Sequence, residues 1–270
     1  MKRLVWLIVL SAIALPAQAA DLLISDDFET GDVSASWDEV NWDNNFYTPN
    51  TSATKFVSSS PTPHGGSYAL HGFLPDGAAS ESTAFDLRLF PSGVTQPHYD
   101  FWIYVKSGYD YGTWQKIARA GAFDVAGGEV EFNLTQDEGQ LQLQVLCYGN
   151  ACCDVDRGFW TGEYLPTDQW VHVVWSSKLN TPGSSDGYTK LWINDELVED
   201  QSNIDVRGSC TDSLNTMWIG GPHSTALTAD SSRYFDDIKL YDGVPEATPT
   251  PTPDPQVGTI RRNSVRGFLR

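Results

Sequence analysis

Apolar and polar residues alternate along much of the chain, and the clearest case is the stretch Trp170–Ser176. Val171, Val173 and Trp175 share one side of this stretch, and His172 lies on the other. A period of two residues with β-branched and aromatic side chains is typical of a β-strand. Because the second side also carries apolar residues, we expect this strand inside a sheet rather than at its edge.

The residues that follow predict two more strands joined by a tight turn. Residues 180–187 are rich in Asn, Pro, Gly and Ser, which favour a loop. Thr189–Ile193 alternates again, and Glu196–Glu199 reads as a returning strand. Asn194 and Asp195 between them suit a two-residue turn, because both residue types tolerate positive φ.

Further strands are predicted at regular, turn-separated spacing, which is the pattern of an all-β sandwich. They are Ala20–Phe28, Tyr68–Gly72, Ser80–Leu89, Tyr99–Val105, Trp114–Ala122, Glu129–Thr135, Gln140–Tyr148, Met217–Gly220 and Arg233–Tyr241. The composition agrees: 33 residues are aromatic, and 23 Gly and 15 Pro supply turns. No long amphipathic helical run is present, so we predict a β-sandwich of two antiparallel sheets.

Alternation also predicts which side chains point outward from these strands. If the strands are neighbours in one sheet, their outward side chains form one surface. It would contain Arg88, Trp102, Tyr104, Lys106, Glu131, Asn133, Gln142, Gln144 and Tyr148. Aromatic rings stack on the C–H faces of sugars, and amides and charged groups bind sugar hydroxyls, so this mixture favours a carbohydrate-binding face. The alternative is the polar outer face that every sandwich has.

The two ends of the chain differ from its middle. Residues 1–19 combine Lys2 and Arg3, a short apolar core and a small-residue end, which predicts a cleaved secretory signal peptide. Export would place the protein in the periplasm or outside the cell. Residues 20–243 form the predicted domain, 244–255 a Pro/Thr-rich linker, and 256–270 a basic, disordered tail.

Charge and cysteine content narrow the partners and the compartment. The net charge of −18 disfavours nucleic acid and anionic membranes, and no second hydrophobic span suggests a transmembrane segment. Cys147, Cys152, Cys153 and Cys210 are an even number in a chain predicted to be exported, so we expect disulfides. We favour one bridge within 147–153 and one to Cys210. The oligomeric state is left open.

The segment from Leu179 to Val198 resembles a known group of proteins. Leu179–Gly183, Asp186-Gly187 and Leu191–Asn194 are similar to the concanavalin A-like lectin and glucanase jelly rolls. Within that group the segment looks most like the alginate and glucuronan lyases of polysaccharide lyase family 14. The resemblance implies a jelly-roll fold whose concave sheet binds a polysaccharide.

The same resemblance implies candidates for catalysis. Family-14 lyases use a lysine in a Lys-Leu-Pro-Gly-like strand and a later tyrosine, and Lys116 and Tyr148 are the positions most like them. Arg88 is a third candidate. Lys116 and Arg119 have opposite parity, so a regular strand would not present both to one groove, whereas a β-bulge would.

Two departures from the family pattern stand beside these candidates. No Pro-Gly follows Ile117, and Phe132–Thr135 stands where the family has a Met-Trp-Arg-like segment. Lys116 as a solvated strand residue, and Tyr148 as a packing residue beside the cysteines, are the alternative interpretations.

Jelly rolls of this group commonly join the closing strand to the N-terminal acidic turn through a structural Ca²⁺. The resemblance therefore implies a calcium site formed by Asp236, Glu29 and backbone oxygens near Asp27 and Gly31. Parity places Asp236 with Ile238 on the inward side, where an unpaired carboxylate would be costly. Backbone N–H groups bound to Asp236 are the alternative.

Three functions follow from these observations. The first is a secreted carbohydrate-binding protein, the second a lyase that cleaves a uronic-acid polymer by β-elimination, and the third a structural or adhesive surface domain. A glycosidase is disfavoured, because the clustered carboxylates of jelly-roll glucanases are absent and Glu129 and Glu131 alone are weak support.

Overall fold

The structure of the chain is a computed structural model, which describes residues 20–31, 54–77, 85–86, 93–111, 115–125, 128–150, 153–221 and 227–245. These residues form β-strands and connecting turns, with no helix among them. None of them therefore forms a helix of the length and apolarity that crossing a membrane requires. The predicted signal peptide, most of the linker, the basic tail, Arg88 and Cys152 lie outside the described residues.

The described strands are numbered β1 to β14 in chain order. Their bounds are Asp21–Asp26, Thr54–Ser58, Ala69–Leu74, Phe85–Asp86, Pro97–Val105, Gln115–Val125, Gly128–Asp137, Gln140–Asn150, Cys153–Tyr164, Trp170–Lys178, Gly187–Ile193, Glu196–Ile204, Thr216–Ile219 and Ser231–Asp242. The larger sheet has the order β12-β11-β10-β5-β14-β3-β2, with β1 also paired to β14. The smaller sheet has the order β4-β13-β6-β7-β8-β9. The strands of both sheets pair antiparallel, so the predicted jelly-roll sandwich is confirmed.

The hairpin read from the sequence is present. β10 lies between β11 and β5, inside the larger sheet as its apolar faces predict. β11 and β12 are joined by Asn194 and Asp195, whose φ angles of 49° and 65° are those of a primed two-residue turn.

The core lies between the two sheets and is formed by the inward side chains. Tyr99 and Phe101 of the larger sheet face Phe132 and Leu143 of the smaller one, and all four are fully buried. Tyr99 stacks on Trp175 at 4.8 Å between ring centroids. Each such side chain contributes roughly 1.5–3 kcal/mol of hydrophobic stabilisation. The core therefore holds the two sheets together and fixes the direction in which every outward side chain points.

Two strands were not predicted. β9 is an edge strand of the smaller sheet whose sequence mixes charges, Gly and aromatic residues, so it carries no clear period. β2 lies in a stretch for which no strand was predicted. The other predicted strands are present wherever they fall on described residues, with ends shifted by a few residues.

Two of the cysteines have described side chains, Cys147 on β8 of the smaller sheet and Cys210 in the connection between β12 and β13. Cys147 and Cys210 are buried. The side chain of Cys153 is outside the described part of the structure, as is the whole of Cys152. The pairing of the four residues stays a prediction.

Candidate active site on the smaller sheet

The predicted carbohydrate face is divided between the two sheets. Alternation assigned the outward side chains correctly, since Trp102 and Tyr104 point away from the core between buried neighbours. However, they belong to β5 of the larger sheet, which Lys106 directly follows, whereas β6, β7 and β8 belong to the smaller sheet. The prediction of one shared surface was therefore wrong, because parity identifies the side of a strand but not the sheet that contains it.

Trp102 and Tyr104 pack in an aromatic cluster on the outer face of the larger sheet. Trp102 stacks on His64 at 3.6 Å and on His172 at 4.9 Å. Tyr104 meets Trp170 edge-on at 5.6 Å. The neighbouring rings restrict access to Trp102, which removes it from the candidate site. Lys106 is exposed on the same side of the molecule.

A bulge in β6 creates the candidate site on the other sheet. Lys116 pairs with Thr135 and Ala118 pairs with Leu134, so Ile117 is an extra residue in the ladder. The extra residue inverts the parity beyond it, and Lys116 and Arg119 both reach the outer face. The bulge considered from the sequence is therefore present.

The bulged backbone is held by groups from distant parts of the chain. The carbonyl of Ile117 accepts a hydrogen bond from the Gly220 N–H at 2.6 Å. The carbonyl of Lys116 accepts one from Arg233 at 2.9 Å. A Cβ at Gly221 would lie 2.4 Å from the Cβ of Lys116, so only glycine permits this approach.

Arg233 was missed as a site residue, because alternation counted from Ile238 and Leu240 assigns it to the outward side. The ladder irregularity between Asp236 and Lys239 shifts the parity, so Arg233 lies with the buried Phe235 between the sheets. Its guanidinium is buried and binds the backbone of Lys116 and Gly221. An arginine on the inward side of a strand must find such acceptors, because an unpaired buried charge is very costly.

Glu131 is the centre of a buried charged cluster. Its carboxylate accepts hydrogen bonds from the Arg119 guanidinium, from Asn133 Nδ2 at 3.1 Å and from Lys116 Nζ at 3.4 Å. Arg119 also lies 3.5 Å from the half-exposed Glu129. Glu131, predicted as a sugar-binding residue, thus acts here as the internal counterion of Arg119 and as a hydrogen-bond acceptor for Lys116.

The charge balance of this cluster favours a neutral Lys116. Burial, together with the nearby guanidinium of Arg119, lowers the pKa of Lys116 to about 6 against the opposing effect of Glu129. Arginine does not give up its proton in proteins. Since Glu131 binds Arg119 directly, Lys116 is the group that loses its charge near neutral pH.

Trp218 is a second residue that the sequence did not single out. It lies on β13, opposite Arg119 in the ladder, and is buried. The guanidinium of Arg119 lies 4.4 Å from the centroid of its ring, within the range of a cation–π interaction. The ring restricts the conformations open to Arg119 and so helps to orient it.

The predicted amide residues lie beside the cluster. Asn133 pairs with Gln144 across β7 and β8, and Thr135 pairs with Gln142. Within the described part of the chain, Asn133 Oδ1 and Gln144 Oε1 are buried oxygens without a hydrogen-bond partner. Buried acceptors of this kind need a donor. They are suited to the hydroxyl groups of a bound sugar.

The structure describes the backbone of Tyr148 and no part of Arg88. The backbone of Tyr148 pairs with Glu129, at the end of the strand that carries Gln144. Its side chain, like the whole of Arg88, lies outside the described part of the structure. The catalytic roles of both residues stay predictions.

Comparisons with known proteins relate part of this chain to a family. The family model named polysaccharide lyase 14 matches residues 125–238. The resemblance predicted from the sequence is therefore confirmed. A search of curated proteins gave no match. The matched family-14 range includes Glu131, Asn133, Gln144 and Tyr148, and begins just after Lys116 and Arg119.

Solved structures with the same fold include lyases. An endo-β-1,4-glucuronan lyase from the fungus Trichoderma reesei has 15% identity and a TM-score of 0.59 over 73% of this chain and 90% of its own. A PL-14 alginate lyase from Aplysia kurodai has 14% identity and a TM-score of 0.59 over 83% and 99%. The alginate lyase vAL-1 from Chlorella virus has 12% identity and a TM-score of 0.54 over 70% and 89%. At these identities the likeness shows the shared fold.

The predicted calcium ligands surround the turn at His64–Gly66. Asp236 accepts hydrogen bonds from the Gly65 and Asp237 N–H groups, at 3.1 and 2.8 Å. Glu29 accepts them from the Ser67 and Tyr68 N–H groups, at 2.7 and 2.9 Å. The two predicted acidic ligands therefore bind backbone donors, and among described residues no three His, Cys, Asp or Glu side chains are placed to share an ion. The Ca²⁺ site stays a prediction.

One part of that prediction was wrong. Asp236 was placed on the inward side by parity with Ile238 and Leu240. The ladder between β14 and β5 is irregular between Asp236 and Lys239, and Asp237 has a φ of 49°. Asp236 pairs with Trp102 and lies on the outer face of the sheet, buried beside the His64–Gly66 turn.

Proposed function

We propose that this protein is a polysaccharide lyase that cleaves a uronic-acid polymer by β-elimination. The observation that carries the proposal is the bulge at Ile117, which brings Lys116 beside Arg119 on the outer face of the smaller sheet. The match to the family model, and the lyases among proteins of the same fold, support the same reaction.

Lys116 is suited to remove the proton from C5 of the uronate. With a pKa of about 6, its amine is mostly neutral at pH 7 and has a free electron pair. The C5–H electrons form the C4–C5 double bond, and the C4–O bond breaks. Tyr148 is proposed to protonate the departing oxygen, because a tyrosine follows the lysine at this place in the family.

The acidity of the C5 proton depends on neutralising the uronate carboxylate. Asn133 and Gln144 lie in register beside the charged cluster, and Arg119 supplies a fixed positive charge there. Arg119 and the amide N–H groups are proposed to bind the carboxylate, and the amide oxygens to accept hydrogen bonds from the neighbouring hydroxyls. Preorganised donors at the point where negative charge develops are a major source of rate enhancement.

The elimination is tested by incubating the full chain with alginate and with glucuronan. The unsaturated uronate that forms absorbs near about 235 nm. We expect absorbance to rise with the wild type and to be lost with Lys116→Ala. Lys106→Ala is the matched control, because Lys106 is an exposed lysine on the other sheet.

A carbohydrate-binding protein without catalysis is the second candidate. It is favoured by the engagement of Arg119 with Glu131, which leaves less positive charge for a substrate carboxylate. Absence of product on both polymers, together with retarded migration in gels containing them, would support binding alone. Failure of both measurements would favour the structural or adhesive alternative. Export to the periplasm or the cell exterior is part of the proposal and rests on the sequence of residues 1–19.

A further inference from the structure

A groove on the larger sheet is separate from the candidate active site. It lies on the outer face where β10, β11 and β12 run side by side and has a volume of about 440 Å³. Its lining residues include Tyr188, Trp192, Lys190, Ser176 and Ser202. The candidate active site lies on the outer face of the opposite sheet, with the core between them.

Alternation along β11 builds this groove. Gly187, Thr189, Leu191 and Ile193 point inward and are buried. The residues between them, which include Tyr188 and Trp192, point outward and are half-buried. Tyr188 and Trp192 are four positions apart on the strand, which places them about 13 Å from each other. This spacing fits an extended chain of several sugar units better than a single small molecule.

The surroundings of Trp192 are apolar. Trp192 pairs with Val174 on one side and with Leu197 on the other, and Leu197 is 46% exposed. These three side chains form an apolar row across three strands at one end of the groove. Such a row is complementary to the C–H face of a sugar ring.

Hydroxyl groups lie at the other end. The Tyr188 hydroxyl accepts a hydrogen bond from Gln96 at 2.7 Å and lies 3.3 Å from the Ser176 hydroxyl. Ser202 and Asn203 complete this side of the lining. Polar groups that donate and accept are what sugar hydroxyls require.

The charges around the groove are balanced within the protein. Lys190 binds Asp200 at 2.9 Å, and Lys178 binds Asp186 at 3.1 Å. The backbone N–H of Thr181, together with Lys178, lowers the pKa of Asp186 to about 2, so Asp186 stays charged. Each cation has an anion, and the groove therefore has no excess positive charge to attract a polyuronate.

We propose that this groove binds a neutral polysaccharide chain, with Trp192 and Tyr188 as stacking platforms. The groove and the proposed elimination site lie on different sheets, so binding in the groove does not depend on the elimination site. A protein that holds a neutral polymer with one sheet keeps the other sheet accessible. The groove would thus attach the protein to neutral glycan that surrounds an acidic polymer.

The test is affinity electrophoresis of the full chain in gels containing hydroxyethylcellulose, xyloglucan, galactomannan or soluble starch. We expect retardation in at least one gel, and a loss of about tenfold in affinity with Trp192→Ala and with Tyr188→Ala. Ser202→Gln should weaken binding by filling the groove without removing a ring. Tyr68→Ala is the matched control, because Tyr68 is an exposed ring about 19 Å away across four strand spacings.

The outcomes separate this proposal from the elimination reaction. Binding to the neutral polymer should persist in Lys116→Ala, in added salt and without any elimination activity. Retardation by none of the four polymers overturns the proposal, as does equal retardation of wild type, Trp192→Ala and Ser202→Gln. Retardation by alginate alone, abolished by salt, also overturns it.

Discussion

The replacement Lys116→Arg tests the proposed base most directly. Burial lowers the pKa of Lys116 from its ordinary 10.5 to about 6. At pH 7 an amine with that pKa is neutral in about 90% of molecules, against about 0.03% for an ordinary lysine. Arginine keeps the positive charge and most of the volume but stays protonated. We therefore expect the elimination rate to fall by roughly 10²- to 10⁴-fold, the usual contribution of a general base.

The assay is the initial rate of absorbance increase on alginate and glucuronan from about pH 5 to pH 9. The sign follows from the base role, since the reactive form is the deprotonated amine. For the wild type, kcat/KM should rise as the pH passes about 6 and then level off. Lys116→Arg should lack this rise, whereas Lys106→Arg, on the opposite sheet, should keep both the rate and the profile.

Two results would refute the reasoning. A correctly folded Lys116→Arg protein with a rate within a few-fold of wild type would show that the amine is not the base. A wild-type rate that rises only above about pH 9 would show that the lysine keeps its ordinary pKa. Thermal unfolding of each variant separates a loss of fold from a loss of chemistry.

Three further predictions concern other charged groups. Glu131→Gln leaves the buried guanidinium of Arg119 without its carboxylate, so urea denaturation should show a loss of about 3–5 kcal/mol in the free energy of unfolding. Glu129→Gln, at a half-exposed position, should cost less than about 1 kcal/mol. Burial lowers the pKa of His172, but its ion-pair partners Asp100 and Asp195 outweigh burial and raise that pKa above the ordinary value. The stability that His172 gains from the two aspartates is full below its ordinary pKa of 6.5 and is lost as the pH rises through the folded pKa. The difference in unfolding free energy between wild type and His172→Gln should therefore shrink from about pH 5.5 to 8. A difference that stays constant over this range would contradict the reasoning. Calcium should raise the melting temperature of the wild type and not that of Asp236→Asn. An equal response of both proteins, or no response of either, would contradict the predicted Ca²⁺ site.

Side-chain parity was the most successful part of the sequence analysis. With Trp102, Glu131 and Gln142 predicted to point outward, alternation leaves Phe101, Phe132 and Leu143 on the inward side, and all three are fully buried. The reason is physical: successive side chains of a strand point to opposite faces, so a buried face must be apolar at every second position. The same rule holds for β11, where it identifies the rings that line the proposed neutral-sugar groove.

Parity does not reveal which strands share a sheet. β5 and β6 are consecutive in sequence, yet β5 joins the larger sheet and β6 the smaller one. Pairing across a sandwich is decided by the packing of the whole core and by long connections, which leave no local period in the sequence. Trp102 and Glu131 were therefore assigned to one surface, although the core separates them.

The bulges are the second limit of parity, and they fall at the predicted site residues. At β6 a single extra residue, Ile117, turns two cations of opposite parity toward one face. The groups that hold the bulge are distant in sequence. Arg233 binds the carbonyl of Lys116, and the Gly220 N–H binds the carbonyl of Ile117. A local pattern cannot contain these partners. It does contain a conflict, because a regular strand through Lys116 and Arg119 would direct one of the two cations into an apolar core, at a cost of several kcal/mol. A cation that alternation assigns to the core is therefore itself a signal, and it predicts a bulge, as at Ile117.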